Sequence, residues 1–241
     1  MNQDKFYNFD LISLDAMEKL IIPSLVCKNC RGINDWRSSH KCVVCDSLQV
    51  KDLNFRDSEK IIQDNYIHLK KFVDIFELKI RYYATQPVIE NLCKNASLFI
   101  HFSTYTIDEV MLNFLEDSLK RGLQVAGVVG LSKKISKKIT ELNENYPEIC
   151  NIIPWECKYG DKYILPHQKF IIIDGVVGMA GSMNFTKSGF EKHDKNPPFE
   201  LLWTLTDIDT IVSINNEYLS PLFVPENADN IWYKYVGDVV V

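Results

Sequence analysis

The sequence predicts an α/β fold: one mixed β-sheet flanked by helices, preceded by a small metal-binding module and a long linking helix. Three observations predict it. From residue 86 onward, short apolar runs rich in Val, Ile and Phe alternate with stretches of helical periodicity. Late in that alternation, FIII and VVGMA flank an Asp-Gly pair, the signal of an antiparallel hairpin added to an otherwise βαβαβ order. Near the start, four cysteines fall into two CxxC pairs.

Composition narrows the class. The chain has 241 residues, 46% hydrophobic and 24% charged, the balance of a soluble globular protein with a sizeable core. Its net charge of −5 argues against indiscriminate adhesion to nucleic acid, yet leaves room for a local basic groove. The opening MNQDKFYNFD is not the basic start and apolar run of a signal peptide, and no apolar stretch approaches a membrane span. A cytoplasmic protein without stable membrane association is expected. In a reducing compartment, seven cysteines with four in tight pairs favour a metal site over disulfides.

Residues 1–56 read as an N-terminal helix and a zinc ribbon. Leu11, Leu14, Met17, Leu20 and Ile21 recur at helical spacing until Pro23. CKNC then supplies Cys27 and Cys30, and CVVC, after eleven intervening residues, supplies Cys42 and Cys45. Each pair can wrap a tight knuckle, and four thiolates make a closed, structural Zn²⁺ site. The loop between them holds Arg31, Trp36, Arg37, His40 and Lys41. Those residues either contact nucleic acid by stacking and phosphate binding or merely pack and solvate the site. With four cysteines filling the shell, His40 reads as a loop residue. Cys93, Cys150 and Cys157 read as buried or free thiols.

Residues 57–85 read as the linking helix, capped by Asp57 or Ser58. Its apolar positions, from Ile62 and Tyr66 to Ile80 and Tyr83, advance by alternating fours and threes. Residues 86–241 form the main domain. Helices are expected over Pro87–Asn95, Asp108–Arg121 (stopped by Gly122), Ser132–Tyr146 and Ile208–Tyr218. Strands are expected over Leu98–Phe102, Leu123–Val129, Ile149–Trp155, Phe170–Ile173, Val176–Ala180 and Glu200–Leu205, with Tyr159–Pro166 as a loop. On the third of these helices Lys133, Lys134, Lys137 and Lys138 cluster outside, either bordering a nucleic-acid groove or simply solvated.

The chemistry concentrates in HQKFIIIDGVVGMAGSMN, residues 167–184. On a strand His167 and Lys169 project from one face, and Ser182 and Asn184 share a face at the end of the return strand. Antiparallel pairing would gather an imidazole, an ammonium, a hydroxyl and an amide at one sheet edge, a set suited to a phosphate diester. The pattern His-x-Lys, four residues, Asp174, six residues, Gly-Ser-x-Asn resembles the HKD signature of the phospholipase D superfamily, and Thr186 matches the hydroxyl residue that often follows. Asn196 and Glu200 stand where its nuclease branch carries a downstream Asn and Glu, with Pro197 and Pro198 lengthening their spacing. His68 and Lys70 repeat His-x-Lys, but Ile75 occupies the aspartate position and no Gly-Ser-x-Asn follows, so they are not a second motif.

The resemblance covers about residues 86 to 220 and implies a single-repeat phospholipase D-like fold. It also implies a hydrolase acting on phosphodiester bonds through a phosphohistidine on His167, without catalytic metal. Lys169, Ser182 and Asn184 would bind the phosphate oxygens, Asp174 would orient the turn or partner groups, and Glu200 would hold the second imidazole nitrogen. One repeat supplies one histidine, so a homodimer pairing His167 with its copy is implied. A nuclease, an endonuclease on DNA or RNA, is the expected activity. The alternatives are a phospholipase D or phosphatidyl transferase acting on lipid, and a non-catalytic scaffold that binds nucleic acid or protein.

Overall fold

The computed structural model describes residues 25–34, 41–47, 86–130, 133–155, 157–159, 162–164, 167–190 and 202–224. The helices expected over 6–22 and 57–83, together with Trp36, Arg37, His40, Asn196 and Glu200, lie outside the described residues. The main domain is a mixed α/β layer structure. Its six strands are β3 (Phe99–Thr104), β4 (Gln124–Gly130), β5 (Cys150–Trp155), β8 (Phe170–Ile173), β9 (Val177–Gly181) and β10 (Leu202–Leu205), in the order β10-β9-β8-β3-β4-β5. β3, β4 and β5 run parallel, while β8, β9 and β10 continue the sheet antiparallel from the other side of β3.

Helix α1 (Gln86–Asn95) leads into β3, and helices α2 (Glu109–Lys120) and α3 (Lys133–Asn145) join the parallel strands. Each expected helix and strand of this half is present within a residue or two. The Asp108 carboxylate starts α2 by accepting from the Val110 and Met111 N–H groups. Gly122, at φ 86°, ends it. The Arg121 guanidinium reaches back to the carbonyls of Cys93, Lys94 and Ala96, satisfying the open end of α1. β3 and β8 are buried along their whole length, as central strands with apolar runs should be.

Two expectations are corrected. The stretch expected as a loop over Tyr159–Pro166 contains half of a hairpin, β6 (Cys157–Tyr159) with β7 (Lys162–Ile164). Gly160-Asp161 between them is a hairpin dipeptide with Tyr and Ile in its flanks. The last helix, expected to run to Tyr218, stays α-helical only over α4 (Ile208–Ile214). It widens to a π turn over Asn215–Leu219 and tightens to a 3₁₀ turn over Ser220–Phe223, where Pro221 cannot continue the helix.

That π turn carries two consecutive asparagines to the N-terminal module. There, β1 (Leu25–Val26) pairs with β2 (Ile33–Asn34). Asn216 accepts from the Ile33 N–H at 2.8 Å and donates to the Ile33 carbonyl at 2.8 Å. Asn215 donates to the Arg31 carbonyl at 3.1 Å and accepts from His101 Nδ1 at 2.7 Å. The module is thereby bonded to β3 in the centre of the sheet.

Candidate active site

The hairpin β8–β9 builds the site, and its turn explains why Asp174 stands there. Asp174 and Gly175 have φ of 55° and 72°, two successive left-handed residues as a type I′ turn requires. Fully buried, the Asp174 carboxylate accepts from the backbone N–H groups of Ser97 (2.9 Å), Leu98 (2.8 Å) and Phe99 (3.0 Å). It locks the turn to the start of β3. The aspartate therefore works on the fold, at the opposite end of the hairpin from the histidine.

At the other end, the ladder stops before the polar residues begin. His167 to Lys169 are irregular and precede β8, and Ser182 to Asn184 follow β9. The expectation that His167 and Lys169 share a strand face is corrected: His167 is exposed, whereas Lys169 is 4% exposed. They meet instead through the chain, because Lys169 Nζ donates to the His167 carbonyl at 2.7 Å. A last bond, Gly181 N–H to the Lys169 carbonyl at 3.0 Å, keeps both ends of the hairpin side by side. Asn184 Oδ1 accepts the Thr106 N–H at 3.4 Å, which leaves its amide nitrogen as a donor. Ser182 is exposed. Tyr105, at the end of β3, was not singled out in the sequence. Its ring centroid lies 5.4 Å from that of His167 and 5.8 Å from Lys169 Nζ. Its position just past the carboxyl end of a parallel strand, where α/β sheets hold their sites, was the available signal.

An exposed imidazole beside an ammonium and amide donors can attack phosphorus and hold anionic oxygens. Of the basic cluster expected on α3, Lys138 bonds Glu116 of α2 at 2.6 Å and Lys137 lies 3.6 Å from Glu141. Those two charges are balanced within the chain.

The four cysteines do converge. Their sulfurs all lie within 4.8 Å of one another, with Cys27–Cys45 at 3.8 Å and Cys30–Cys42 at 3.5 Å. Thiolates at about 2.3 Å from a tetrahedral zinc stand roughly 3.8 Å apart, so the cluster fits such an ion. The two CxxC segments are alike in backbone. The residue after each second cysteine is left-handed, Arg31 at φ 59° and Asp46 at φ 55°. Each of these residues donates to the carbonyl of the first cysteine, at 2.9 and 3.0 Å. Bonds from Gly32 N–H to Cys30 Sγ and from Val44 N–H to Cys42 Sγ suit sulfurs that carry negative charge. The Cys27 thiol is pushed down to about 4 through the adjoining Cys30 thiol, whose own ionisation is opposed by that same contact and by burial. Cys93 and Cys150 are buried thiols, both pushed up to about 12 by burial.

A mixed sheet whose central hairpin presents His, Lys and Asn at one edge defines the phosphodiester-transferring class of α/β proteins. Residues 89–217, more than half of the chain, match the family model described as cardiolipin synthase, PLD-like domain. The chain belongs to this phospholipase D-like family. Among solved structures it is similar to NucT from Helicobacter pylori, at 20% identity and TM-score 0.45, covering 56% of this chain and 87% of that one. It is similar too to a phospholipase D family member, Nuc from Salmonella typhimurium, at 19% identity and TM-score 0.43, covering 55% and 82%. Polyphosphate kinase from Porphyromonas gingivalis matches at 13% identity and TM-score 0.37, covering 54% and 22%. Comparison with curated proteins finds no match. No helix among the described residues is long and apolar enough to cross a membrane.

Proposed function

We propose that this protein is a metal-independent nuclease that cleaves DNA or RNA as a homodimer, with His167 as nucleophile. The observation that carries the reading is the exposed His167, whose backbone carbonyl accepts from the buried Lys169 ammonium, at the hairpin end where Asn184 is held by its carbonyl oxygen. In the first step an imidazole nitrogen attacks phosphorus as the bond to the leaving oxygen breaks, and the partner's His167 gives that oxygen a proton. In the second, the same partner histidine takes a proton from water, whose oxygen attacks phosphorus and breaks the P–N bond. Lys169, Ser182 and Asn184 hold the non-bridging oxygens throughout. Glu200 is proposed to fix the imidazole tautomer.

The N-terminal module supports a nucleic-acid substrate over a lipid. It is bonded to the catalytic sheet through Asn215 and Asn216 of the π turn, and exposed Lys28 and Lys41 stand beside its two knuckles. The four cysteines would hold a structural zinc, while the chemistry above runs on histidine alone. We assign the N-terminal helix and ribbon to residues 1–56, the linking helix to 57–85 and the catalytic domain to 86–241.

Labelled DNA, labelled RNA and mixed phospholipid vesicles, each incubated with the full chain in EDTA, test the substrate class. Cleavage of nucleic acid is expected; cleavage of lipid alone would move the reading to a phospholipase, and strict dependence on added Mg²⁺ would overturn the mechanism. For the dimer, wild-type and His167→Ala chains are refolded together in equal amounts. Random pairing leaves about a quarter of the dimers fully wild-type, so about a quarter of the activity is expected for a shared site and about half for independent sites.

A further inference from the structure

We propose that Tyr105 is a positioning residue that holds the His167 imidazole in its attacking orientation; this rests on the phosphodiesterase reading above. The need for such a residue follows from His167 itself. It lies outside the strand, its side chain is exposed, and no described residue hydrogen-bonds its ring. Besides the tautomer that Glu200 is proposed to fix, an imidazole so placed needs its rotamer held, because attack on phosphorus demands one of the several staggered ones. The Tyr105 ring supplies a wall. The two ring planes meet at 54° with centroids 5.4 Å apart, a tilted arrangement that aromatic quadrupoles favour. From the same ring, Lys169 Nζ lies 5.8 Å away, within range of a cation–π contact. One ring thus stands beside both groups that must face the phosphate.

The backbone of Tyr105 is held accordingly. On one side Gly130 ends β4, and a Cβ there would come within 2.4 Å of the Tyr105 carbonyl oxygen. Only glycine admits that close approach. Flanking Tyr105, Thr104 Oγ1 donates to the Thr106 carbonyl at 2.9 Å, and the Thr106 N–H donates to Asn184 Oδ1 at 3.4 Å. A bridge pairs Ile107 with Phe185. The segment that bears the tyrosine is therefore stitched to the segment that bears the phosphate-binding asparagine. A displacement of one carries the other with it.

The ring is what matters in this account, not the hydroxyl. The test uses the full chain as wild type, Tyr105→Leu and Tyr105→Phe, with bis(p-nitrophenyl) phosphate as a base-free diester and single-stranded DNA as a second substrate. Tyr105→Leu should lower kcat on the base-free diester about 10- to 100-fold with little change in KM. Tyr105→Phe, which keeps the wall, should restore most of that loss. In histidine-labelled protein the His167 imidazole resonances, assigned through His167→Gln, should lose a ring-current displacement in the Leu variant and keep it in the Phe variant. The buried His101 signal, unchanged, reports an intact fold. An unaltered kcat in Tyr105→Leu would overturn the proposal, as would a loss confined to KM for DNA, which would make Tyr105 a base-stacking surface. If wild-type protein cleaves neither substrate, the phosphodiesterase reading fails by itself. The resonances then still decide the contact, and unshifted ones would overturn it.

Discussion

Two buried polar side chains show how single residues are committed to the fold. Asp174 looks catalytic by its place in the motif, yet its carboxylate is filled by three backbone N–H groups. Such bonds to an ionised acceptor are among the stronger ones in a protein. His101 is the second. Its Nδ1 bonds Asn215 Oδ1, so that nitrogen carries the proton, and burial with the nearby Arg31 charge pushes its pKa down to about 3 despite that bond. The unfolded histidine titrates near about 6.5. Between those values the unfolded chain binds a proton that the native state refuses. Stability from this group is therefore complete above about pH 6.5 and falls as the pH drops toward 3, by up to about 1.4 kcal/mol per pH unit. Urea midpoints measured from pH 7 to 4 should decline for wild type and decline less for His101→Gln; parallel curves would exclude His101 as the source.

At the scale of elements, β3 is the strand on which the sheet depends, and β4 is shaped to accept it. Gly127 stands directly opposite Phe102, and a Cβ at Gly127 would lie 2.3 Å from the phenyl ring. Phe102 is fully buried, with nowhere for the ring to retreat. Gly127→Ala should therefore destabilise by about 1–3 kcal/mol in chemical denaturation, and adding Phe102→Leu should recover part of the loss. Strictly additive effects would show that the two do not compete for space. What could be read from the sequence follows the same division between near and far. The βαβαβ half and the hairpin were legible because apolar period, caps and an Asp-Gly turn are local signals. The motif gathered His167, Lys169 and Asn184 at one end of the hairpin for the same reason. Tyr105 was not legible as part of the site, because its contact with His167 is made by strand pairing across more than sixty residues. The π turn was missed since Asn215 and Asn216 find their partners some 183 residues away, where no periodicity can register them. The β6–β7 hairpin, by contrast, had its Gly-Asp signal in plain view.

For the whole molecule, the ribbon and the sheet form one bonded body among the described residues. Arg31 and Ile33 of the ribbon, Asn215 and Asn216 of the π turn and His101 of β3 lie on one run of hydrogen bonds. Amide hydrogen exchange over residues 25–34 reads that union directly. Asn216→Ala should speed exchange at the Ile33 amide about tenfold, since losing the part-buried pair of bonds that hold it is worth roughly 1–2 kcal/mol. With zinc in the proposed four-cysteine site, a chelator should speed exchange over the whole segment, because ligation by thiolates is coupled to folding. An Ile33 amide equally protected in wild type and Asn216→Ala would mean that the ribbon is held some other way.

The pairing of Asn216 with Ile33 has one more effect, on what the molecule avoids. A two-stranded ribbon presents an outer row of N–H and C=O groups that any extended chain can join, the usual start of edge-to-edge aggregation. Asn216 fills that position on β2 with a single side chain, since its carboxamide offers the same donor and acceptor as a neighbouring peptide unit. It works there as a strand one residue long.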